Sequence, residues 1–398
     1  KICPPNGPWP MPPWCKNGSS RIVYKINTNP IKIEKIKAVN MMDTWGRNYN
    51  MGMIETTQSN IEESFNRVKE LGAEEVYVHD FHRAIFEKGK DYTTTNYEIK
   101  DETFWNDFRD ESISEKDLKK LTEIAHKNNL KLGIKHNISF VNIGKYINKG
   151  ISGNIQESVV SDYQKFNENH TEEWIKDYFE KWTNRLTNKA KLYEKYGVDI
   201  LSISPTWMEP TFSGHEELAN ELQKKLIENL KSVYSGKIYV ELNIYGFIED
   251  INGREDYKKY DYYKLADIVE IRIYNFIEKY RSMETEAGII SYLTDINNKA
   301  KEKNIKISIF LAPSSYNNSF KNGALEFLDY KSEIVKNTEK DYDYQNKIFE
   351  LFFKNINNFE NIERINVANF SWDDSLDPEV KPKISIGSTF RNKPSEYL

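Results

Sequence analysis

The sequence predicts an α/β fold: a (β/α)8 TIM barrel with a short, disulfide-closed, Pro-rich N-terminal extension. Three observations carry this. From Ile36 onward, short apolar runs alternate with amphipathic helical segments, the signature of parallel strands joined by helical crossovers. The alternation completes eight strand–helix units, which suits a closed barrel better than an open sheet. No Gly-rich phosphate turn follows the first strand, which disfavours a dinucleotide-binding sheet.

Residues 1–35 form the extension and 36–398 the barrel domain. Cys3 and Cys15 are the only cysteines and bracket a run holding six prolines. Proline fixes φ, so the ends of this loop are held near each other at low entropic cost. A disulfide closing it contributes roughly 3 kcal/mol in the chain-entropy model. Such bonds persist in oxidising compartments, and the chain starts at Lys1 rather than Met. A cleaved secretory signal and a secreted or cell-surface location are therefore expected. Two free thiols in a cytosolic protein are the alternative. Ile22, Tyr24 and Ile26, then Ile31 and Ile33, alternate as strands do and are expected to lie against the barrel floor.

Strand one is read at 37–42. Its helix opens with Ser59-Asn60-Ile61-Glu62, a capping-box pattern, carries Phe65, Val68 and Leu71, and ends at Gly72. Strand two spans 75–79, with its helix starting near Ser114. Strand three is 131–135, followed after a long excursion by the helix 172–196, closed by Gly197. Strand four is 198–204 and its helix 216–234; strand five is 237–244, strand six 267–274. The helix 284–303 leads to strand seven at 305–311, and the helix 342–358 to strand eight at 364–370. Long polar segments follow strands two, three, five and seven. Such loops surround the active face of a barrel and suit an extended ligand.

With 56 basic against 61 acidic residues, there is no basic excess to draw nucleic acid. No run approaches the ~20 apolar residues of a membrane helix. Neither a Gly-x-Ser-x-Gly elbow nor a catalytic Cys is present, and no cofactor is implied. His79, His82 and His136 are possible metal ligands, but His79 and His82 point to opposite sides of a strand. No spaced carboxylate set completes a site, so no metal is expected.

Pleating sends alternate residues of a barrel strand inward. Tyr77, His79 and Phe81, Lys135 and Asn137, Tyr239, Glu241, Asn243 and Tyr245, and Glu270, Arg272 and Tyr274 are the inward sets. Charges inside a barrel are either functional or mutually paired. Glu241 and Glu270 are thus candidate catalytic carboxylates, or else partners of Lys135 and Arg272. After strand four comes Ser204-Pro205-Thr206-Trp207-Met208-Glu209-Pro210. Glu209 beside Trp207 is the candidate proton donor, because a raised pKa lets a carboxyl protonate a leaving oxygen; a solvated loop Glu is the alternative. Asp43-Thr44-Trp45 ends strand one and Phe370-Ser371-Trp372-Asp373 strand eight. Trp45, Trp207 and Trp372 suit stacking on sugars, with Asp43 and Asp373 accepting hydroxyl hydrogen bonds. Lys135, Asn243 and Tyr274 complete the candidate carbohydrate-binding set.

These segments resemble clan A glycoside hydrolases, nearest to the family 113 β-mannanase group. The resemblance is strongest from Leu130 to about Phe276: Leu132-Gly133-Ile134-Lys135-His136, Trp174, the run Tyr196-Gly197-Val198-Asp199-Ile200-Leu201-Ser202-Ile203-Ser204, residues 226–236 into Tyr239 and Asn243, and Ala266-Asp267-Ile268 into Tyr274. It returns at Gln345 and at Phe370–Asp373. It implies an acid/base Glu just after strand four, which Glu209 supplies somewhat later than the family's pattern. It also implies a nucleophilic Glu ending strand seven, where this chain reads Phe310-Leu311-Ala312-Pro313-Ser314-Ser315-Tyr316. The second carboxylate is then Glu241, Glu270 or Asp373, or the protein binds glycans without cleaving them. A secreted glycoside hydrolase is the leading expectation. A catalytically silent carbohydrate-binding or envelope barrel is the alternative.

Overall fold

Eight parallel strands close on themselves. In a computed structural model, which describes residues 30–41, 55–87, 94–100, 113–140, 167, 170–204, 210–252, 255–274, 280, 284–322, 337–370, 388, 390–391 and 393–398, β1 (Ile36–Met41) pairs with β2 (Glu75–Phe86) on one side and β11 (Ile362–Phe370) on the other. Between them run β4 (Lys131–Ser139), β5 (Ile200–Ser202), β6 (Lys237–Asn243), β9 (Ile268–Ile273) and β10 (Ile307–Leu311), each parallel to its neighbours. All eight strands lie where the apolar runs predicted them. No helix of the described residues is long and apolar enough to cross a membrane.

Among the described residues six helices of thirteen or more residues occupy the crossovers: α1 (Glu55–Glu70), α2 (Glu115–Lys127), α3 (Glu172–Tyr196), α4 (Glu216–Lys231), α6 (Glu286–Glu302) and α7 (Tyr342–Asn355). Their ends follow local chemistry. Ser114 caps α2, its Oγ accepting from the Asp117 amide at 3.1 Å. Gly197 closes α3 at φ 76°, a left-handed conformation in which a side chain is strained. α1 departs from expectation, beginning at Glu55 rather than after Ser59. Capping there is worth about 1 kcal/mol, and the buried Ile61, Phe65 and Val68 outweigh it at roughly 1.5–3 kcal/mol each.

Two regions differ from the sequence reading. β2 runs on to Phe86, pairing with β4 as far as Arg83↔Ser139, and carries a short antiparallel β3 (Tyr97–Lys100). Strand two reads as ending at His79 because polar residues follow, but Asp80 and His82 are buried with partners of their own. Between β6 and β9 the crossover is no long helix. A six-residue α5 (Ile244–Glu249) leads into a hairpin of β7 (Ile251–Asn252) and β8 (Glu255–Asp256), followed by two 3-10 turns.

Most of the core lies between strands and helices. A smaller cluster, Ala38, Tyr77, Ile200, Tyr239 and Ile268, fills the barrel floor. Gly133 sits opposite Tyr77 in register. A Cβ there would stand 2.5 Å from the Tyr77 ring, so the ring's place on the barrel axis depends on that missing methyl.

Candidate functional site

The inward residues stack into polar layers along the barrel axis. Near the floor, Arg364 clasps Glu75 through two bonds of 2.9 and 3.1 Å, both side chains fully buried, and the Tyr77 hydroxyl donates to the same carboxylate at 2.9 Å. Above them, Lys135 Nζ lies 2.8 Å from Glu270 Oε1 and 3.1 Å from Glu241 Oε2, under the rings of Tyr77, Tyr239 and Phe310. Glu270 also accepts from Ser308 Oγ at 2.8 Å, from Asn366 Nδ2 at 3.1 Å and from the Tyr239 hydroxyl. The third cation, Arg272, sits 2.8 Å from Glu241 Oε1. Burial pushes the Glu241 carboxyl up, but Lys135 and Arg272 outweigh it and hold the group below the ordinary range.

Three cations thus face three carboxylates inside the barrel: the pairing alternative covers Lys135 and Arg272 with Glu241 and Glu270, and Arg364 with Glu75 adds a pair it did not include. Glu241 and Glu270 are thus both ion-paired within the barrel, with Lys135 shared between them. Lys135, expected at a binding surface, is 1% exposed. Its alternation with Ile134 and His136 set it inward correctly, but its position along the strand puts it a layer below the mouth.

At the mouth, a chain of amides and one imidazole crosses the C-terminal end of the strands. Asn137 Nδ2 donates to His79 Nδ1 at 2.8 Å, and His79 Nε2 donates to Asn40 Oδ1 at 3.0 Å. Asn40 Nδ2 donates onward to Asn369 Oδ1 at 2.7 Å, and Asn369 Nδ2 to Ser388 Oγ at 2.9 Å. One proton on His79 satisfies both neighbours. Burial, with Lys135 nearby, lowers its pKa to about 3, so the ring is neutral over the ordinary range. Tyr274, partly exposed, meets Phe310 edge-to-face at 5.5 Å. Asn243 caps α5, its Oδ1 accepting from the Tyr245 amide at 2.9 Å.

The other predicted site residues, Asp43, Trp45, Trp207, Glu209, Trp372 and Asp373, lie outside the described residues, as do Cys3 and Cys15. Strand seven is described through its end. Ala312, Ser314 and Ser315 are buried there, and no carboxylate occupies that stretch.

The histidines separate by strand parity. His79 faces the barrel, whereas Asp80, His82 and His136 face α3, their candidate ligand atoms within 4.8 Å of one another. A metal fits this group poorly. Lys189 Nζ stands 2.9 Å from Asp80 Oδ2 and supplies the positive charge. His82 Nε2 and His136 Nδ1 are bonded to each other at 2.8 Å. Tyr193 adds contacts to Asp80 at 3.4 Å and His136 at 3.3 Å. Burial lowers the His82 pKa to about 3 and lowers that of His136 as well, leaving a neutral pair in a structural network.

Sequence reasoning missed Asn40, Glu75, Arg364 and Asn366. The signal was present: the alternation applied to strands five and six also selects Arg364, Asn366 and Ala368 on strand eight and Ala38 and Asn40 on strand one.

No family model matches the chain, and no curated protein matches it. Solved structures do. A GH113 β-1,4-mannanase in complex form superposes with TM-score 0.57 at 13% identity, covering 92% of this chain and 96% of that one. The GH113 β-mannanase of Alicyclobacillus acidocaldarius, solved in complex with ManMIm, gives 0.56 at 13%, covering 92% and 94%. A fungal β-1,4-galactanase gives 0.50 at 10%, covering 92% and 98%. At these identities the likeness establishes the barrel fold that this chain shares with them.

Proposed function

We propose that this chain is a secreted glycoside hydrolase cleaving a polysaccharide or cell-surface glycan at the C-terminal face of its barrel. The observation carrying this reading is the whole-length correspondence, 92% of this chain against 96% of the other, with a β-1,4-mannanase barrel. In that fold, catalytic groups come from the C-terminal ends of the strands. The mouth here supports it: the Asn40–His79–Asn137 chain offers amide donors and acceptors of the kind that orient sugar hydroxyls. Glu209, following strand four, is the proposed proton donor. With Glu241 and Glu270 committed to cations, Asp373 at the end of strand eight is the preferred second carboxylate. Secretion rests on the Cys3–Cys15 reading.

A second reading is favoured by one observation. Strand seven ends without a carboxylate, and the inward glutamates are locked in ion pairs, so the barrel would bind glycans without cleaving them. Glu209→Gln separates the two. Under the hydrolase reading it slows turnover by ~10²–10⁴-fold and leaves retention on a polysaccharide affinity gel unchanged. Full turnover by the variant would remove Glu209 from the mechanism.

A further inference from the structure

Outside the barrel axis lies a cavity of about 60 Å³ at the end of β5, between α3, α4 and the irregular crossover after β6. Trp182 and Phe212 line one part of it, Tyr257, Tyr260 and Tyr262 another, and Ser204 and Glu241 its barrel side. One further acid faces it. Glu255 is 6% exposed, and its Oε1 accepts both from the Phe212 amide at 2.8 Å and from the Tyr260 hydroxyl at 2.8 Å. Its Oε2 has no hydrogen-bond partner among the described residues.

Glu255 lines the cavity, so this second oxygen is placed to accept from whatever occupies it. Burial raises the Glu255 carboxyl, only partly opposed by the Phe212 amide and Tyr260. The described walls contain no Lys, Arg or His, and Glu241 is already neutralised by Lys135 and Arg272. Glu255 therefore offers the cavity a carboxylate without a cationic partner, within a ring of electron-rich aromatics. Such surroundings attract a cation with N–H donors: the carboxylate takes a charge-assisted bond and the rings add cation–π attraction. The volume admits a few waters, or an ammonium with an adjoining carbon or two, and excludes a sugar ring.

We propose that this cavity binds a primary ammonium group, its nitrogen donating to Glu255 Oε2 against the aromatic wall of Trp182, Phe212 and the three tyrosines. The group belongs either to a small free amine or to an amino sugar whose ring stays outside. This site does not depend on the chain being a hydrolase.

Ligand-observed NMR titration of the full chain at pH 8 with ethylammonium, D-glucosamine, ethanol and D-glucose tests it. Saturable binding of an amine, with its neutral counterpart at least tenfold weaker, is the expected result. Binding of ethylammonium alone identifies a free amine; binding of glucosamine identifies a sugar-borne one, and either supports the site. Glu255→Gln keeps an acceptor for Phe212 and Tyr260 and should weaken amine binding at least tenfold. Binding of neither amine, equal binding of the neutral analogues, or unchanged affinity in folded Glu255→Gln would overturn the proposal. Should that variant fail to fold, a crystal of the wild-type chain soaked in ethylammonium decides. Nitrogen density about 3 Å from Oε2 is expected, and a cavity holding only water refutes it.

Discussion

Replacing Lys135 with Met removes one charge from the centre of the barrel and exposes how the column is held. Met follows the path of the lysine stem, so the packing under Tyr77, Tyr239 and Phe310 survives while the ammonium is lost. The two carboxylates are affected unequally. Glu241 keeps Arg272 at 2.8 Å. Glu270 keeps only neutral donors, namely Ser308, Asn366 and Tyr239. Removing one member of a buried ion pair costs about 3–5 kcal/mol, because the other charge stays in a medium that cannot solvate it. The full range is expected here, with Glu270 contributing most of it. Adding Glu270→Gln to Lys135→Met should recover about 1–3 kcal/mol, the coupling typical of residues in one network. Urea unfolding of wild type, both single variants and the double variant gives the cycle directly. A Lys135→Met protein within about 1 kcal/mol of wild type, or a coupling near zero, would refute the claim that these charges hold one another.

Other consequences follow from burial. His79 and His82 are held near pKa 3 and His136 is also lowered, whereas all three titrate near 6.5 once unfolded. The unfolded chain therefore takes up protons first. Stability should be flat above pH 6.5 and fall by roughly 1.4 kcal/mol per pH unit per histidine below it. Urea midpoints between pH 7.5 and 5 check this, and an unchanged midpoint would contradict it. Gly133→Ala places a methyl 2.5 Å from the Tyr77 ring and should cost about 1–3 kcal/mol by overpacking; pairing it with Tyr77→Leu should recover part of that loss in thermal unfolding. Breaking the clasp between Arg67 and the nearly buried Glu396 by Glu396→Gln should speed proteolysis of the C-terminal tail before the barrel itself is cut.

The strands were legible because each apolar run is short and bounded by turn residues, and because period-2 alternation is a local property. It identified Lys135, Glu241, Glu270 and Arg272 as inward from their neighbours alone. Depth along the axis was not legible. Whether Lys135 reaches the mouth depends on barrel shear and stagger, which no single strand encodes. The same holds for the partition of the histidines: parity separates His79 from His82, but the meeting of His82 with His136 and Lys189 requires the register of β2 on β4 and the placement of α3. Glu255 escaped notice because its burial is created by Phe212 and Tyr260. Phe212 lies 43 residues away, and Glu255 itself sits in a crossover without helical periodicity.

Hydrolysis itself is the most direct test. Purified full-length chain should release reducing ends from at least one member of a panel of β-1,4-mannan, galactan, glucan and xylan, and Glu209→Gln should suppress that release by at least a hundredfold, the lower end of general-acid contributions. Retention of a polysaccharide by the wild-type chain, with no reducing ends released from any member at any pH between 5 and 8, would contradict hydrolysis and leave a glycan-binding barrel.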